Sequence, residues 1–303
     1  MNCPLCNSDH QQLFSNLKDL EYNCGKTFNF SKCTKCSFVW LNPTPSQESL
    51  NSFYPSNYHG FNTQSNFVIK NLYKLVNYFR LKKYSDFLKK PKSNLLDVGC
   101  ADANYFDTLK KISPHVYCTG VENNQEIVSK AREYGRNVKL GTIYDLDQSL
   151  KYDLIIMNNL IEHVRDPVQE LRKAGSLLNS GGVIFIETPN TDSWDFKLFK
   201  RYWGGLHTPR HTFLFNPRSI NALCKLTKLK VEKILFPINT DHWALSVQNL
   251  LQSINSFKLS LKNGRAWYFK YLLFIFIPIN FIQKFLGKTG SMEIILAKSS
   301  NNG

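Results

Sequence analysis

The 303-residue sequence predicts an α/β protein, in which a small cysteine-rich module precedes a mostly parallel sheet with helices on both faces. Between residues 94 and 187, short apolar runs typical of buried strands alternate with segments of helical periodicity. Strands and helices that alternate at this spacing are typical of βαβ units, which build parallel sheets. Hydrophobic residues make up 43% of the chain, which is enough for a sizeable core and excludes wholesale disorder.

The cysteine spacing indicates a metal site near the N-terminus. Four of the eight cysteines form two Cys-x-x-Cys pairs separated by 26 residues, and these are Cys3, Cys6, Cys33 and Cys36. Two such pairs supply four thiolates for a closed tetrahedral site, which predicts a structural zinc ribbon over residues 1–42. Buried free cysteines and a redox pair are the alternatives, and Cys24 or His10 could replace one ligand.

Residues 43–93 are expected to form a helical linker or lid. Prolines open the segment, and Ser46 is a good N-cap for a short helix over 47–53. An aromatic-rich loop is expected over 54–63. Apolar residues at helical spacing then predict a helix over 67–89, which Pro91 ends.

The middle of the chain supplies the alternating elements of the sheet. Strands are expected over 94–99, 116–121, 138–140, 152–157 and 183–187, and helices over 105–111, 125–134 and 168–178. Two further strands, over 229–236 and 292–297, flank a long insertion at 237–291. Ligands of such sheets bind beyond the carboxyl ends of the strands, so the loops after the central strands are the first place to look for a site.

One of these loops has the composition of a cofactor loop. The turn 99–104 is rich in small residues and runs from the first strand into a helix, so a ligand can approach its backbone closely. Glu122 ends the second strand, where a carboxylate can accept hydrogen bonds from ribose hydroxyls. Together these features predict a nucleoside cofactor, although a solvated strand-end acid is the alternative for Glu122.

Four blocks of the sequence resemble the class I S-adenosylmethionine-dependent methyltransferases. They are LLDVGCADANYFDTL, TGVENN, YDLIIMNNLIEHVRDP and LLNSGGVIFIETPN, and the resemblance covers residues 94–298. The Glu-His-Val-x-Asp-Pro run and a later Trp…Pro-Arg-His segment are similar to the branch that acts on quinones, sugars and cell-surface polysaccharides. Some members of that branch carry an N-terminal zinc ribbon. The family implies a Rossmann-like, doubly wound sheet of seven strands with an antiparallel last strand.

The resemblance implies S-adenosylmethionine as the cofactor and assigns residues to it. Asp97, Gly99 and Ala101 would belong to the cofactor loop at the first strand, and Glu122 would bind the ribose. Tyr144 or Asp145 would lie near the adenine, and Asn158 and Asn159 would lie near the methionine part. Ala101 and Ala103 replace the second and third glycines of the family, so we expect a retained but slightly altered loop. A positive φ at either alanine would be expected to weaken cofactor binding.

Two clusters hold the candidate catalytic residues. His163 follows the fourth strand, on the rim where acceptor and cofactor would meet, and histidine suits proton transfer near neutral pH. His207, Arg210 and His211 lie in a segment after the fifth strand that suits an active-site lid. Arg210 is expected to bind a phosphate or carboxylate, and either histidine could act as a base. Structural histidines with satisfied hydrogen bonds are the alternative in both clusters.

The insertion contains an apolar stretch, residues 267–286, that is long enough for a transmembrane helix. Polar residues interrupt it, and a single span would leave the last strand on the wrong side of the bilayer. We therefore expect a pair of helices that caps the acceptor pocket or lies in a membrane interface, with basic residues nearby. A helix packed on the domain, or a dimer face, is the alternative.

The formal net charge of +15 permits nucleic acid, anionic lipid or anionic substrates. Basic residues and aromatics do not form a compact stripe, so we expect a small-molecule or lipid-linked sugar acceptor and no nucleic acid. The leading hypothesis is a methyltransferase of surface-polysaccharide synthesis. A zinc-ribbon RNA methyltransferase and a non-catalytic binding protein are the alternatives. The cysteine spacing favours metal ligands over disulfides, as in a reducing compartment, and the sequence shows no signal-peptide pattern. These two features predict a cytoplasmic protein, or one peripheral to the inner face of the membrane.

Overall fold

A computed structural model of the chain describes residues 2–54, 78, 80–254, 261 and 264–299. Most of the expected aromatic loop at 54–63 and the first part of the helix expected over 67–89 lie outside the described residues. Residues 80–85, at the end of that segment, are helical.

The described residues form a small N-terminal sheet and a large seven-stranded sheet. The strands, in chain order, are β1 His10–Lys18, β2 Thr27–Cys33, β3 Val39–Leu41, β4 Ser93–Val98, β5 Val116–Glu122, β6 Val138–Leu140, β7 Tyr152–Asn158, β8 Leu178–Pro189, β9 Phe213–Leu214, β10 Leu229–Leu235 and β11 Ser291–Lys298. The large sheet has the order β10-β11-β8-β7-β4-β5-β6. Its last strand, β11, is antiparallel to both neighbours, while the pairs from β8 to β6 are parallel. The predicted sheet is therefore confirmed.

Helices connect these strands. They are α1 Gln47–Ser52, α2 Phe106–Ile112, α3 Gln125–Glu133, α4 Pro167–Ser176, α5 Trp194–Phe199, α6 Pro217–Thr227, α7 Asp241–Ser253, α8 Phe269–Ile275 and α9 Ile277–Leu286. Local sequence determines where several of the helices begin. The side chains of Asn124, Asp166 and Asn216 each accept two backbone N–H groups at the first turn of α3, α4 and α6. The insertion expected at 237–291 holds α7, α8 and α9.

The strand expected over 183–187 is longer than its apolar run. β8 begins at Leu178 and passes through Gly181 and Gly182, where we expected only the end of a helix. Leu178 pairs with Tyr152, and the register shifts before Leu154 pairs with Val183. The two glycines therefore lie in an irregular part of the strand, which a pattern of apolar residues does not reveal.

The N-terminal sheet includes one strand from much later in the chain. Its order is β1-β2-β3-β9, and β9 comes from the segment after the fifth parallel strand of the large sheet. Phe38 has ring contacts with Trp40, Phe213 and Phe215, with centroids 5.2–5.8 Å apart. Cysteines of the ribbon and apolar residues of the large sheet belong to one hydrophobic cluster. The ribbon is therefore held by core packing as well as by its own cysteines.

A buried ion pair fastens the ribbon to the rest of the chain. Arg210 is fully buried, and its two terminal nitrogens donate to the two carboxylate oxygens of Asp19 at 2.9 and 3.0 Å. The remaining donors reach the backbone oxygens of Phe53 and Thr208 and the Nε2 atom of His207. His207 donates from Nδ1 to Glu21 at 2.6 Å. Because all five guanidinium hydrogens are used, Arg210 is a structural residue.

Asp19→Asn should lower the free energy of unfolding by about 3–5 kcal/mol, since it leaves the buried Arg210 guanidinium without its counter-charge. Urea unfolding at neutral pH measures the change. Glu232→Gln is the control, because Glu232 pairs with Lys230 on the surface, where both side chains are at least 41% exposed. Its cost should stay below about 1 kcal/mol. Equal costs for the two variants would contradict the role given to the buried pair.

Candidate active site

The candidate site lies at the carboxyl ends of the parallel strands, where the connections from β4 and β7 leave in opposite directions. β4 pairs with β5 on one side and with β7 on the other, so it marks the switch point of the sheet. Gly99, just after β4, has a φ of +72°, and a Cβ there would meet Leu160 Cδ1 at 3.0 Å. The positive φ favours glycine at this position, and a side chain there would press against Leu160.

The rest of the turn after β4 is held in an unusual conformation. Ala101 and Ala103 have φ values of +48° and +49°, in the left-handed region that glycine adopts freely. Both alanines replace glycines of the methyltransferase family that the sequence resembles. The positive φ that was expected to weaken cofactor binding is therefore present at both positions. The turn thus keeps the shape of a glycine loop at a steric cost of roughly 1–2 kcal/mol for each alanine.

Glu122 organises the same edge from the end of β5. One carboxylate oxygen accepts the backbone N–H of Ala101 at 3.1 Å, and the other accepts those of Asn123 and Asn124 at 2.9 and 3.0 Å. The side chain is half-buried. A carboxylate has about four acceptor positions, so Glu122 retains capacity for a ligand hydroxyl.

Asp97 lies beneath the turn. Its carboxyl is 4% exposed and accepts the Tyr105 hydroxyl at 2.8 Å. Burial raises the pKa of Asp97 to about 7, and the nearby Glu122 charge acts in the same direction, while the bond from Tyr105 opposes both. Asp97 therefore supports the turn and holds a proton easily near neutral pH.

The methionine-side candidates lie at the end of β7. Asn158 donates from Nδ2 to the Tyr84 hydroxyl at 2.9 Å, and its buried Oδ1 has no hydrogen-bond partner among the described residues. Asn159 has a φ of +47° and donates its backbone N–H to Glu187. The turn at Asn159 brings Leu160 over Gly99.

Four residues of the site were not predicted from the sequence, and these are Arg80, Tyr84, Tyr105 and Glu187. Arg80 donates to Glu187 at 2.8 Å, at the carboxyl end of β8. Burial raises the pKa of Glu187, and the Arg80 charge opposes that change. The Glu-x-Pro run at the end of β8 was visible in the sequence. The ion pair of Glu187 with Arg80, more than a hundred residues earlier, was not.

The two adenine-side candidates have local partners. Asp145 accepts the backbone N–H and the hydroxyl of Thr142 at 2.7 and 2.8 Å, which closes a capping box. These bonds lower the pKa of Asp145. Tyr144 is 49% exposed, and its hydroxyl hydrogen-bonds Glu170. Both residues lie in the turn after β6, and their place beside a nucleobase stays a prediction.

Three titratable groups cluster beyond the carboxyl ends of β7 and β8. Ligand atoms of Glu162, His163 and His211 all lie within 4.8 Å of one another. Glu162 is fully buried. One of its oxygens accepts the Thr188 hydroxyl at 3.0 Å, and the other has no partner among the described residues. Burial raises the pKa of Glu162 to about 8.

The two imidazoles of this cluster are oriented by backbone carbonyls. His211 Nδ1 lies 2.8 Å from the Gly205 oxygen, and His163 Nδ1 lies 3.0 Å from the Arg210 oxygen and 2.8 Å from the Tyr54 hydroxyl. A carbonyl only accepts, so each Nδ1 carries the hydrogen and each Nε2 keeps a lone pair. Burial lowers the pKa of His163 to about 4 and that of His211 further below its usual range. Both rings are therefore neutral at physiological pH.

The structure divides the expected lid residues into two groups. His211 joins the cluster with His163, and their ring centroids are 4.6 Å apart. Arg210 donates to His207, and the two side chains also hydrogen-bond the carboxylates of Asp19 and Glu21 in the ribbon. The expectation that Arg210 binds an anionic acceptor is therefore corrected, because no guanidinium hydrogen remains for one. His207 is likewise bonded at both ring nitrogens, so it has no lone pair with which to act as a base.

The four cysteines of the ribbon come together as their spacing predicts. The Sγ atoms of Cys3, Cys6, Cys33 and Cys36 all lie within 4.8 Å of one another, and three of the separations are 3.4–3.7 Å. Tetrahedral zinc with bonds of about 2.3 Å places its sulfurs about 3.8 Å apart. A disulfide would need about 2.05 Å. The donor set therefore fits a metal ion and excludes a disulfide.

Comparison with known proteins gives the family. A family model described as a methyltransferase domain matches residues 70–234, which is more than half of the chain. A Streptomyces fradiae protein described as an uncharacterized 37.1 kDa protein of a transposon is 32% identical over 34% of this chain and 32% of its own length. A Coxiella burnetii ubiquinone biosynthesis O-methyltransferase is 27% identical over 38% of this chain and 52% of its own length. The chain thus spans between a third and about half of the length of these relatives.

A solved structure supports the same fold. It is assigned to the sarcosine dimethylglycine methyltransferases and comes from Galdieria sulphuraria. The similarity covers 75% of this chain and 86% of that one, with a TM-score of 0.51 and 16% identity. The turn after β4, the acid that ends β5 and the seven-stranded sheet agree with the family match. The chain belongs to the methyltransferase-domain family, and its sheet is that of a class I S-adenosylmethionine-dependent methyltransferase.

Proposed function

We propose that the protein transfers a methyl group from S-adenosylmethionine to a hydroxyl of a sugar or lipid-linked glycan intermediate, in cell-surface polysaccharide synthesis. One observation carries the proposal: the loop after β7 links the turn after β4 to the acid–base cluster of Glu162, His163 and His211. Leu160 packs over Gly99, and Glu162 and His163 follow it within three residues. A methyl donor in the turn would therefore lie beside groups that can accept a proton.

The residues at the edge fit the cofactor. Glu122 offers one further acceptor position at the place where ribose hydroxyls bind in this class of sheet. Asn158 Oδ1, buried and unpartnered among the described residues, suits the ammonium of the methionine part. Arg80 brings a positive charge to the same edge, which suits a carboxylate. When bound, the cofactor supplies an electrophilic methyl group on a sulfonium.

The acid–base cluster accounts for the proton. A hydroxyl acceptor must lose its proton as it attacks, and a group within hydrogen-bond reach must take it. Neutral His163 and His211 each present a lone pair on Nε2, and Glu162 titrates close to neutral pH. The name of the Coxiella relative, an O-methyltransferase, supports oxygen as the acceptor atom.

We also propose that Cys3, Cys6, Cys33 and Cys36 hold one structural zinc ion. The two cysteine pairs lie in matching turns: the N–H of Cys3 bonds the oxygen of Ser8, and the N–H of Cys33 bonds that of Phe38. Such paired turns direct four sulfurs at one point and leave no open coordination position. The ion would stabilise the ribbon sheet that β9 completes.

Protein purified without chelator should contain one zinc per chain, measured by elemental analysis. Cys33→Ser should lose it, because three thiolates and a hydroxyl bind zinc more weakly than four thiolates. Cys24→Ser is the matched control and should keep the metal, since Cys24 lies outside the cluster. Wild-type protein without zinc, or equal zinc in the two variants, would refute the assignment.

Glu122→Ala should weaken the binding of S-adenosylmethionine by roughly 1–3 kcal/mol, because ribose hydroxyls lose their acceptor. Glu122→Gln, which keeps one acceptor oxygen, should fall between this variant and the wild type. Titration calorimetry gives the affinities, and thermal unfolding shows whether the turn survives the loss of its backbone contacts. Glu126→Ala, an exposed residue in the first turn of α3, should leave the affinity unchanged. Equal affinity in all four proteins would rule out Glu122 as a ligand.

Glu162→Gln should flatten the pH dependence of stability. The pKa of Glu162 is raised from 4.5 to about 8, so the folded protein holds a proton that the unfolded chain releases as pH rises through this range. Wild-type stability should therefore fall as pH rises from about 4.5 to about 8, by a few kcal/mol at most. Urea unfolding across these pH values measures the slope, with the exposed Glu126→Gln expected to follow the wild type. Identical slopes for Glu162→Gln and the wild type would contradict the buried proton.

A further inference from the structure

Helix α9 has its polarity reversed. Asn280 and Gln283 are fully buried in α9, whereas Phe281, Ile282 and Phe285 are 49–75% exposed. A helix on the surface of a water-soluble domain has the opposite arrangement, with apolar residues inward and polar residues outward.

The inward polar residues hold the helix to the domain. Asn280 exchanges two hydrogen bonds with the backbone of Asn239, at 2.9 and 3.0 Å. Gln283 accepts from the Trp243 indole at 2.8 Å and donates to Asp195 at 3.2 Å. Because these bonds satisfy the buried amides, the orientation of the helix is set, and its apolar side must face outward.

The outward side is a large apolar surface. Nine of the nineteen large hydrophobic residues that are exposed among the described residues lie on it, and these are Trp267, Tyr271, Phe274, Ile275, Ile277, Phe281, Ile282, Phe285 and Leu286. We call these nine residues the outer face. Exposed large apolar side chains concentrated in this way are typical of interaction sites.

The charged side chains that α8 and α9 themselves carry, Lys270 and Lys284, are both positive. Arg265 and Lys288, which flank the two helices, pair with Glu21 and Asp192. Between residues 242 and 292 the sequence contains six basic residues and no acidic one. Lys270 and Lys284 are exposed on the helices that carry the outer face. A second copy of the chain would bring the same positive charge to the contact, so the charge favours an anionic partner. Among the described residues, no single helix is long and apolar enough to cross a bilayer; α8 and α9 reach that length only together, with a bend of 51°.

The outer face lies at the same edge of the sheet as the candidate active site. α9 ends at Leu286, and β11 begins at Ser291, which pairs with Pro189 at the carboxyl end of β8. Asn239, which holds α9, also donates to the Ser291 hydroxyl at 2.9 Å. A surface on which α8 and α9 rest would therefore be near the ends of the strands that carry the site.

We propose that the outer face lies in the interface of an anionic lipid bilayer, so that the active site receives its acceptor from the membrane. The aromatic and aliphatic side chains enter the boundary between headgroups and acyl chains, and the lysines contact anionic headgroups. The membrane contact stands on the helices alone, while the lipid-borne acceptor rests on the proposed methyltransferase function.

Vesicle binding by the full chain tests the contact. The protein should sediment with vesicles of phosphatidylcholine and phosphatidylglycerol and bind less to phosphatidylcholine alone. Salt should weaken the binding without abolishing it, because apolar burial is not screened. Among the five tryptophans, Trp267 is the exposed one at 78%, so the emission of the wild type should shift to the blue on binding and that of Trp267→Phe should not.

Paired variants distinguish binding through the outer face from nonspecific binding through exposed aromatic residues elsewhere. Phe281→Ser with Phe285→Ser should weaken partitioning at least about tenfold, since two phenylalanines lose their burial. Tyr117→Ser with Tyr134→Ser removes two aromatics that are 62% and 64% exposed outside the outer face, and it should bind like the wild type. Unchanged affinity for S-adenosylmethionine in all variants shows that the site is intact.

Three results would overturn the proposal. The first is a wild type that does not bind anionic vesicles. The second is a Phe281→Ser, Phe285→Ser variant that binds as well as the Tyr117→Ser, Tyr134→Ser control. The third is a stable dimer that the two phenylalanine-to-serine substitutions dissociate. The dimer, measured by light scattering, would assign the outer face to a second copy. Loss of cofactor binding with vesicle binding retained would instead count against the proposed function and leave the membrane contact standing.

Discussion

The buried charge of Arg210 is the constraint on which the arrangement of the chain depends. A guanidinium with no exposed surface is tolerated only when its charge is neutralised and its donors are satisfied, and Asp19 does the first with two hydrogen bonds. Asp19 belongs to the ribbon and Arg210 to the segment after β8. The pair therefore joins the N-terminal sheet to the segment that leads into β9.

The same arginine connects the ribbon to the chemistry of the site. Its side chain is bonded to Asp19, and its backbone oxygen accepts the Nδ1 hydrogen of His163. The next residue, His211, is the other imidazole of the acid–base cluster. The position of the His163 ring thus depends on a residue whose own side chain is bonded to the ribbon.

Burial sets the protonation of the site in a consistent way. Glu162 is held neutral because its charge would be desolvated, and both histidines of the cluster are held neutral for the same reason. The cluster therefore carries no net charge near neutral pH, and each imidazole keeps a lone pair on Nε2. The reversed polarity of α9 follows an equally simple rule, since its buried amides are fully bonded and its apolar side faces outward.

The sequence by itself determined the elements that depend on near neighbours. The alternation of strands and helices, the two cysteine pairs, the helix caps and the acid at the end of β5 follow from periodicity and spacing over a few residues. Other features depend on contacts between distant parts of the chain, such as the pair of Asp19 and Arg210, separated by 191 residues. The addition of β9 to the ribbon sheet and the inward direction of Asn280 and Gln283 are of the same kind. Only the tertiary structure decided these, because whether an arginine binds a ligand or a buried aspartate depends on which distant side chain folding brings beside it.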